Sequence, residues 1–197
     1  MKKACLVLVL FVLSSSCVTY KPQPPSLYLE SPPPSIVTAL SLEERIAVED
    51  AWKNLKQGNA NKAEKMIARL GVESPLYHIG LGYASFILNK FQEAELSFKE
   101  ALKNYPELIL AHLGLSQVYQ KTYRDDMAFN ELREVLKREP NHTWAKDEYE
   151  FLKSLKTEGF LKEAKFYKDQ GNIEKQKEAY LKALHYSPQF LEAHLAL

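Results

Sequence analysis

The stretch that decides the fold runs from Pro75 to Pro106 and reads PLYHIGLGYASFILNKFQEAELSFKEALKNYP. Each half spaces large apolar residues by three and four around a small residue, Gly82 in the first half and Ala94 in the second. Asn89 lies between the halves and tolerates the left-handed backbone that ends a helix. Because two helices cross closely only where side chains are small, the stretch predicts a helix hairpin.

The same pattern returns on both sides of this stretch. Four prolines close the copies and are spaced 31, 34 and 48 residues apart: Pro75, Pro106, Pro140 and Pro188. Twelve, eight and five residues before them stand, in turn, Ala63, Ala94, Ala128 and Gln176, then Ile67, Phe98, Leu132 and Tyr180, then Leu70, Ala101, Val135 and Ala183. A repeat with this period predicts an all-α stack of hairpins. The alternative is an ordinary helical bundle with chance spacing.

The copies resemble tetratricopeptide repeats (TPRs), and the resemblance covers about Ser41 to Leu197. It implies a TPR-type helix-hairpin solenoid of about four repeats with a partial fifth. The predicted units are 44–75, 75–108, 109–142 and 157–190, an added or lengthened helix over 143–156, and the partial repeat 191–197. We expect the partial repeat to reflect either a truncated reading frame or an edge that another subunit completes.

Turn and cap residues support the same boundaries. Ser41 and Glu44 form a capping-box pattern where the array begins. Each closing proline is expected in the first turn of the next helix. The turns inside the hairpins hold Gly58, Asn89, Tyr123 and Gly171. Tyr123 is neither glycine nor asparagine, so we expect its turn to differ from the other three.

Residues 1–16 have the pattern of a signal peptide, with two early lysines and an apolar run from Ala4 to Leu13. The small residues before Cys17 resemble a bacterial lipobox, although Ser14 stands where leucine is usual. The mature chain would keep Cys17 as its sole cysteine, so lipidation there would remove a free thiol. The alternative is ordinary secretion with cleavage nearby.

Residues 17–40 are predicted to be a lipidated, proline-rich tether, since six prolines fall between Val18 and Leu40. Such a segment favours extended polyproline II over helix, with a reach of roughly 60–70 Å at about 3 Å per residue. Pro32-Pro33-Pro34 is interpreted as part of this spacer, with a docking motif for a proline-binding domain as the alternative.

Charge and motifs indicate no chemistry. Without Lys2 and Lys3 the chain has 24 basic and 25 acidic residues, so it has no general attraction to nucleic acid. No phosphate loop, paired-cysteine metal motif or nucleophile signature is present, and no catalytic residue, metal or cofactor is predicted. The resemblance places His78, His112 and His194 at one equivalent, structural position. His142 and His185 are predicted at the surface.

The TPR resemblance implies that the first helix of each hairpin lines a concave, partner-binding groove. The candidate groove residues are Trp52, Leu76, Ile79, Tyr83, Phe86, Gln117, Gln120, Lys121, Lys165 and Lys168. This wall is apolar at its start and basic toward its end, so it suits a peptide with a hydrophobic stretch and a nearby acidic group. The alternative is that a neighbouring helix or the tether buries some of these side chains.

Together these features predict a non-enzymatic, lipid-anchored scaffold in the bacterial envelope, at the outer membrane and facing the periplasm, that binds proteins or peptides during assembly of a complex. Its plan is similar to the TPR lipoproteins of outer-membrane barrel assembly and of type IV pilus assembly. The alternative function is an accessory subunit that recruits a cell-wall enzyme or an exporter.

Overall fold

The structure is a computed structural model that describes residues 27–195, apart from the side chains of Glu192 and Leu195. Over these residues it contains helices and no strand. The predicted signal peptide (1–16), Cys17 and residues 18–26 of the predicted tether lie outside the described residues. So do Ala196 and Leu197 of the partial repeat.

The described chain is a stack of helix hairpins, each of which packs on the next. The hairpins are α2 (Leu42–Lys56) with α3 (Ala60–Ile67), α4 (Pro75–Ile87) with α5 (Phe91–Asn104), α6 (Ile109–Lys121) with α7 (Asp125–Arg138), and α8 (Thr143–Asp169) with α9 (Ile173–Tyr186). A short α1 (Pro34–Thr38) precedes them and α10 (Leu191–Leu195) follows. Because α4 also contacts α2 and α6, first helices lie beside first helices. The predicted all-α, TPR-type solenoid is confirmed.

Small residues let the helices approach closely, as the sequence predicts. The ring of Phe98 on α5 is fully buried and lies against Gly82 of α4 and Gly114 of α6. A Cβ atom on Gly82 would come within 2.6 Å of the Phe98 ring, well inside an ordinary contact of about 3.5–4.0 Å. Gly82 therefore sets the spacing within the second hairpin, and Gly114 sets the spacing between the second and third hairpins.

The four hairpin turns share one backbone geometry. Gly58, Asn89, Tyr123 and Gly171 have φ angles of 76°, 59°, 58° and 69°. In each turn the residue after this position donates its N–H to a carbonyl five residues earlier, as from Arg124 to Tyr119 at 2.8 Å. This is the Schellman motif that closes a helix. The prediction that the Tyr123 turn differs is wrong, because the same hydrogen bonds hold tyrosine in the left-handed region.

Helix starts agree with the sequence at two places and differ at three. The Ser41 hydroxyl accepts from the Glu44 N–H (3.3 Å), and the Glu44 carboxylate accepts from the Ser41 N–H (2.9 Å), which confirms the capping box. Helix α4 begins at Pro75 as predicted. The helices after Pro106, Pro140 and Pro188 each begin three residues later, so that prediction is wrong there. Each of these prolines is the second residue of a turn closed by an N–H of the fourth residue, which its fixed φ favours.

Helix α8 is the lengthened helix that the extra residues allowed, and residues 143–156 are its first half. At 27 residues it spans about 40 Å. Its first half packs on the main core, where Tyr149 stacks on Phe129 at 4.4 Å. Its second half forms a smaller core with α9 and α10 around Ala164 and Tyr180. Residues 27–195 thus contain two hydrophobic cores that α8 connects, and Tyr186 at the end of α9 also packs on the main core.

The part of the predicted tether that the structure describes packs against the array. Leu27, Leu29, Ile36 and Val37 are half-buried on the main core, and α1 begins with Pro34 at its first turn. Proline is tolerated there because its missing N–H would have no partner in the first turn of a helix. The prediction of a free, extended spacer is therefore wrong for residues 27–40, because residues 34–38 form a helix and residues 27–33 pack on the array.

Candidate functional site

The N-terminal segment, residues 27–33, forms no helix or strand and lies across one face of the array; its last residue, Pro33, has extended backbone angles, φ −57° and ψ 132°. It contacts α2, α4, α6 and the start of α8, and we call the face that it contacts the inner face. Helix α6 is buried at every position from Leu110 to Gln120. A helix that lines an open groove would have one exposed stripe, so this all-round burial shows how completely the inner face of α6 is covered.

The inner face holds the main chain of the segment through side-chain groups. Gln117 is 1% exposed, and its Oε1 accepts from the Tyr28 N–H (2.6 Å) while its Nε2 donates to the Tyr28 carbonyl (2.9 Å). The Trp52 Nε1–H donates to the Glu30 carbonyl at 3.0 Å. These three hydrogen bonds involve only backbone atoms of the segment. They therefore bind an extended main chain without selecting for particular side chains.

Side-chain contacts add specificity at two positions of the segment. The Tyr28 ring stacks on Trp144, with centroids 4.5 Å apart and planes at 6°, and meets the edge of the His142 ring at 5.9 Å. His142 caps α8, since its Nδ1 accepts from the Ala145 N–H (3.2 Å). The proton is then on Nε2, which donates to the Glu30 carboxylate at 3.3 Å. An aromatic ring and a carboxylate two residues later are thus recognised together.

Space remains on both sides of the segment. A cavity of about 430 Å³ is lined by Tyr28, Glu30, His142 and their neighbours. A second, of about 690 Å³, lies beside Ser31 and Pro32 and is bounded by α2. Leu27 and Leu29 border a third with Phe86, Ile87 and Lys121. The segment occupies the inner face without filling it.

The electrostatics near the segment are uneven. Partial burial raises the pKa of the Tyr28 hydroxyl, and the nearby carboxylates of Glu30 and Glu139 raise it further, so this tyrosine stays neutral. The cavity beside Ser31 is bounded by three cations and one acid, Arg45, Lys53, Lys56 and Glu49. The Lys56 ammonium donates to the Ser31 hydroxyl at 3.0 Å. A cationic edge of the inner face therefore meets a neutral residue of the segment.

Most predicted groove residues are on the inner half of the array, but they are not exposed. Seven of the ten are buried: Trp52, Leu76, Ile79, Tyr83, Phe86, Gln117 and Gln120. The expectation of an open wall is wrong at these positions, because neighbouring first helices and the N-terminal segment cover them, which was the alternative. Tyr83 illustrates this, since its hydroxyl donates to the Leu110 carbonyl (3.2 Å) within the core and burial raises its pKa.

The remaining candidates differ in position. Lys121 is half-buried beside Leu27 and Leu29. Lys165 and Lys168 are exposed on the second half of α8, about 30 Å along the helix from Trp144. The structure therefore does not bring these two lysines to the N-terminal segment.

Sequence reasoning missed the residues that hold the segment most directly: Tyr28, Glu30, Lys56, His142 and Trp144. The prediction that His142 lies at the surface is wrong, since it is 8% exposed, whereas His185 is exposed as predicted. A signal was present in Leu27-Tyr28-Leu29, an apolar triplet between prolines that a solvated spacer does not need. Its partners could not be identified, because Tyr28 and Gln117 are 89 residues apart.

Two of the three equivalent histidines make the same structural contact. The His112 and His194 Nε2 atoms face the Pro106 and Pro188 carbonyls at 3.1 and 2.7 Å. Within residues 27–195, no group of three or more histidine, cysteine, aspartate or glutamate side chains could hold a metal ion. In the same range, the helices are all too short or too polar to cross a lipid bilayer.

Comparison with known proteins identifies the repeat. Residues 158–190 match the family model of the tetratricopeptide repeat, and no curated protein matches the chain. Among solved structures, the chain is similar to MamA 41-end from Desulfovibrio magneticus RS-1, with 20% identity, a TM-score of 0.49 and coverage of 78% of this chain and 81% of that one. It is also similar to the MamA RS-1 ArsTM double mutant, with 20% identity, a TM-score of 0.48 and coverage of 78% and 80%. The repeat match indicates a protein-interaction fold and no enzyme family.

Proposed function

We propose that this chain is a non-enzymatic scaffold that binds protein partners as extended peptides on its inner face. We further propose that a lipid on Cys17 holds it at the bacterial outer membrane, facing the periplasm, where it serves the assembly of an envelope complex. The observation that carries the binding role is the Gln117 amide, which pairs with both backbone groups of Tyr28.

This amide is suited to binding a chain of any sequence. It presents an acceptor and a donor side by side, and these match the N–H and carbonyl of one extended residue. Gln117 is buried beneath the segment, so an occupant that covers it without offering a backbone partner would leave its Oε1 unpaired, at a cost of about 1–3 kcal/mol. A site with this property favours occupancy by some peptide backbone.

The anchor rests on the sequence of residues 1–17. A leader of this kind followed by Cys17 supports lipidation, and several acyl chains together hold a protein firmly, since each buried methylene adds about 0.8 kcal/mol. Labelling cells with a palmitate analogue tests this directly. We expect incorporation into the wild-type chain and none into Cys17→Ser; equal labelling of both would remove the anchor from the proposal.

Site-specific photo-crosslinking in cells tests the binding role. A photoreactive residue at Lys53, exposed at the rim of the inner face, should give discrete protein adducts. The same residue at Lys103, exposed on the second helix α5, is the matched control and should give none of those adducts. Identical adducts from both positions, or none from Lys53, would count against a partner at the inner face.

A further inference from the structure

We infer that the N-terminal segment is a built-in substitute for the partner, and that the inner face selects an extended peptide of the pattern apolar–aromatic–apolar–acidic. A partner peptide of this pattern must displace the segment to bind. A second acidic residue directly after the first should strengthen its binding. This inference rests on the proposed function and specifies the partner's chemistry.

Side-chain groups, rather than backbone groups, hold the main chain of the segment. Three hydrogen bonds to its main chain come from side chains of α2 and α6, and the segment forms no helix or strand of its own. Elements of a folded core usually satisfy their backbone with backbone. Side-chain groups that hold an extended main chain are the mode by which grooves bind peptides.

The inner face is selective at two positions of the segment, those of Tyr28 and Glu30. Trp144 and His142 enclose the Tyr28 ring on a face and an edge, and such a place favours an aromatic residue. The His142 Nε2–H points to the Glu30 carboxylate, so an acidic residue is favoured two places later. Leu27 and Leu29 on either side of Tyr28 pack on the core. The residues of the segment thus have the apolar–aromatic–apolar–acidic pattern that the inner face favours.

The segment and its site do not match in charge at Ser31. Arg45, Lys53 and Lys56 bound the cavity beside Ser31, and Glu49 offsets one of the three positive charges. The chain itself presents a neutral hydroxyl to Lys56. A ligand with a carboxylate in place of the Ser31 side chain would form an ion pair with the Lys56 ammonium. Such a ligand would bind more tightly than the segment does, and it could therefore displace the segment.

The segment can leave the inner face without unfolding the array. Leu27, Tyr28, Leu29 and Glu30 are half-buried, and the Glu30 side chain is 41% exposed. The four hairpins pack on each other independently of it. A short stretch with few contacts opens far more easily than the whole fold. The exchange therefore needs no rearrangement of the helices.

Fluorescence anisotropy with labelled peptides tests the inference on the full chain. The probes are SLYLESPP, which is residues 26–33, and SLYLEEPP, which carries the second acid. The variants are wild type, Tyr28→Ala with Glu30→Ala to weaken the internal competitor, and this pair combined with Trp144→Ala. Phe166→Ala in the weakened background is the matched control, since Phe166 is an exposed aromatic residue far along α8.

We expect the weakened variant to bind SLYLESPP at least tenfold more tightly than wild type does. Trp144→Ala should cancel that gain, whereas Phe166→Ala should preserve it, and circular dichroism should show equal helix content in all variants. SLYLEEPP should bind severalfold more tightly than SLYLESPP, and Lys56→Ala should abolish the difference.

Equal affinity of wild type and the weakened variant would overturn the inference, as would full binding after Trp144→Ala. A doubled mass of the wild type by light scattering, lost on weakening the segment, would overturn it in favour of a segment exchanged between two copies. Lys53 adducts without peptide binding would refute the inference and leave the proposed function standing. Peptide binding without Lys53 adducts in cells would support the recognition pattern and count against the cellular role.

Discussion

Replacing Gly82 by alanine should destabilise the array by about 2 kcal/mol. The new Cβ would lie 2.6 Å from the Phe98 ring, so the two must separate by about 1 Å to reach ordinary contact. Phe98 is fully buried and also lies against Gly114, so the ring has no free space to enter. Overpacking of this kind costs about 1–3 kcal/mol, and we expect the upper end, reduced by the roughly 1 kcal/mol by which alanine favours helix over glycine.

The same substitution at Gly159 is the matched control and should have the opposite sign. Gly159 is in the interior of α8, where an added Cβ meets no heavy atom within 4 Å. Only the helix preference then applies, and Gly159→Ala should stabilise by up to about 1 kcal/mol. Thermal unfolding followed by circular dichroism should show a Tm lowered by about 4–8 °C for Gly82→Ala and raised by about 2–4 °C for Gly159→Ala.

A Tm raised in both variants would refute this reasoning, because helix preference would then outweigh packing at Gly82; a Tm lowered in both would refute the open space at Gly159. A double variant tests the cause. Phe98→Leu shortens the side chain that the new methyl group strikes, so combining it with Gly82→Ala should cost less than the sum of the two single changes. Simple additivity would show that the Phe98 ring is not the obstacle.

Three further predictions concern a turn, an ion pair and the N-terminal segment. Tyr123→Gly should raise the free energy of unfolding, measured with urea, by about 0.5–1 kcal/mol. The substitution removes a tyrosine from the strained left-handed conformation, and little packing is lost because Tyr123 is 84% exposed. Lys156 lowers the pKa of Asp126 and Tyr186 lowers it further, so the pair stabilises above pH about 4 and this contribution is lost at lower pH. Asp126→Asn should therefore cost no more than about 1 kcal/mol at neutral pH, because this carboxylate is largely exposed, and nothing in strong acid. Tyr28→Ala should change tryptophan fluorescence at constant helix content, because both tryptophans of the chain contact the segment; an unchanged spectrum would contradict its docking.

Local signals explain why the repeat could be predicted from the sequence. A left-handed turn needs only one suitable residue, so Gly58 and Gly171 identified their turns. Close helix crossings need a small residue at the right offset, so Gly82 identified one. Tyr123 shows the limit of this logic: the hydrogen bonds of the turn impose the conformation even on a residue that disfavours it.

The occupant of the inner face could not be predicted, because its information is distributed over the chain. Gln117 and Tyr28 carry complementary groups, but no periodicity connects a hydrogen-bonding amide to a backbone 89 residues away. The proline content of residues 17–40 led to the prediction of a free spacer, but prolines favour an extended chain whether it is solvated or bound. Extended backbone was predicted correctly at Pro33, and the burial of residues 27–33 was not.

The long separation between Tyr28 and Trp144 has a consequence for biosynthesis. Residues 27–30 of the N-terminal segment are synthesised early. Helix α8, which carries the Trp144 ring that stacks on Tyr28, is synthesised more than 100 residues later. At about 5–20 residues per second, that delay is on the order of ten seconds. During this interval the newborn chain carries the segment without the site that binds it, and a finished neighbour can bind that segment only after its own segment has left the inner face.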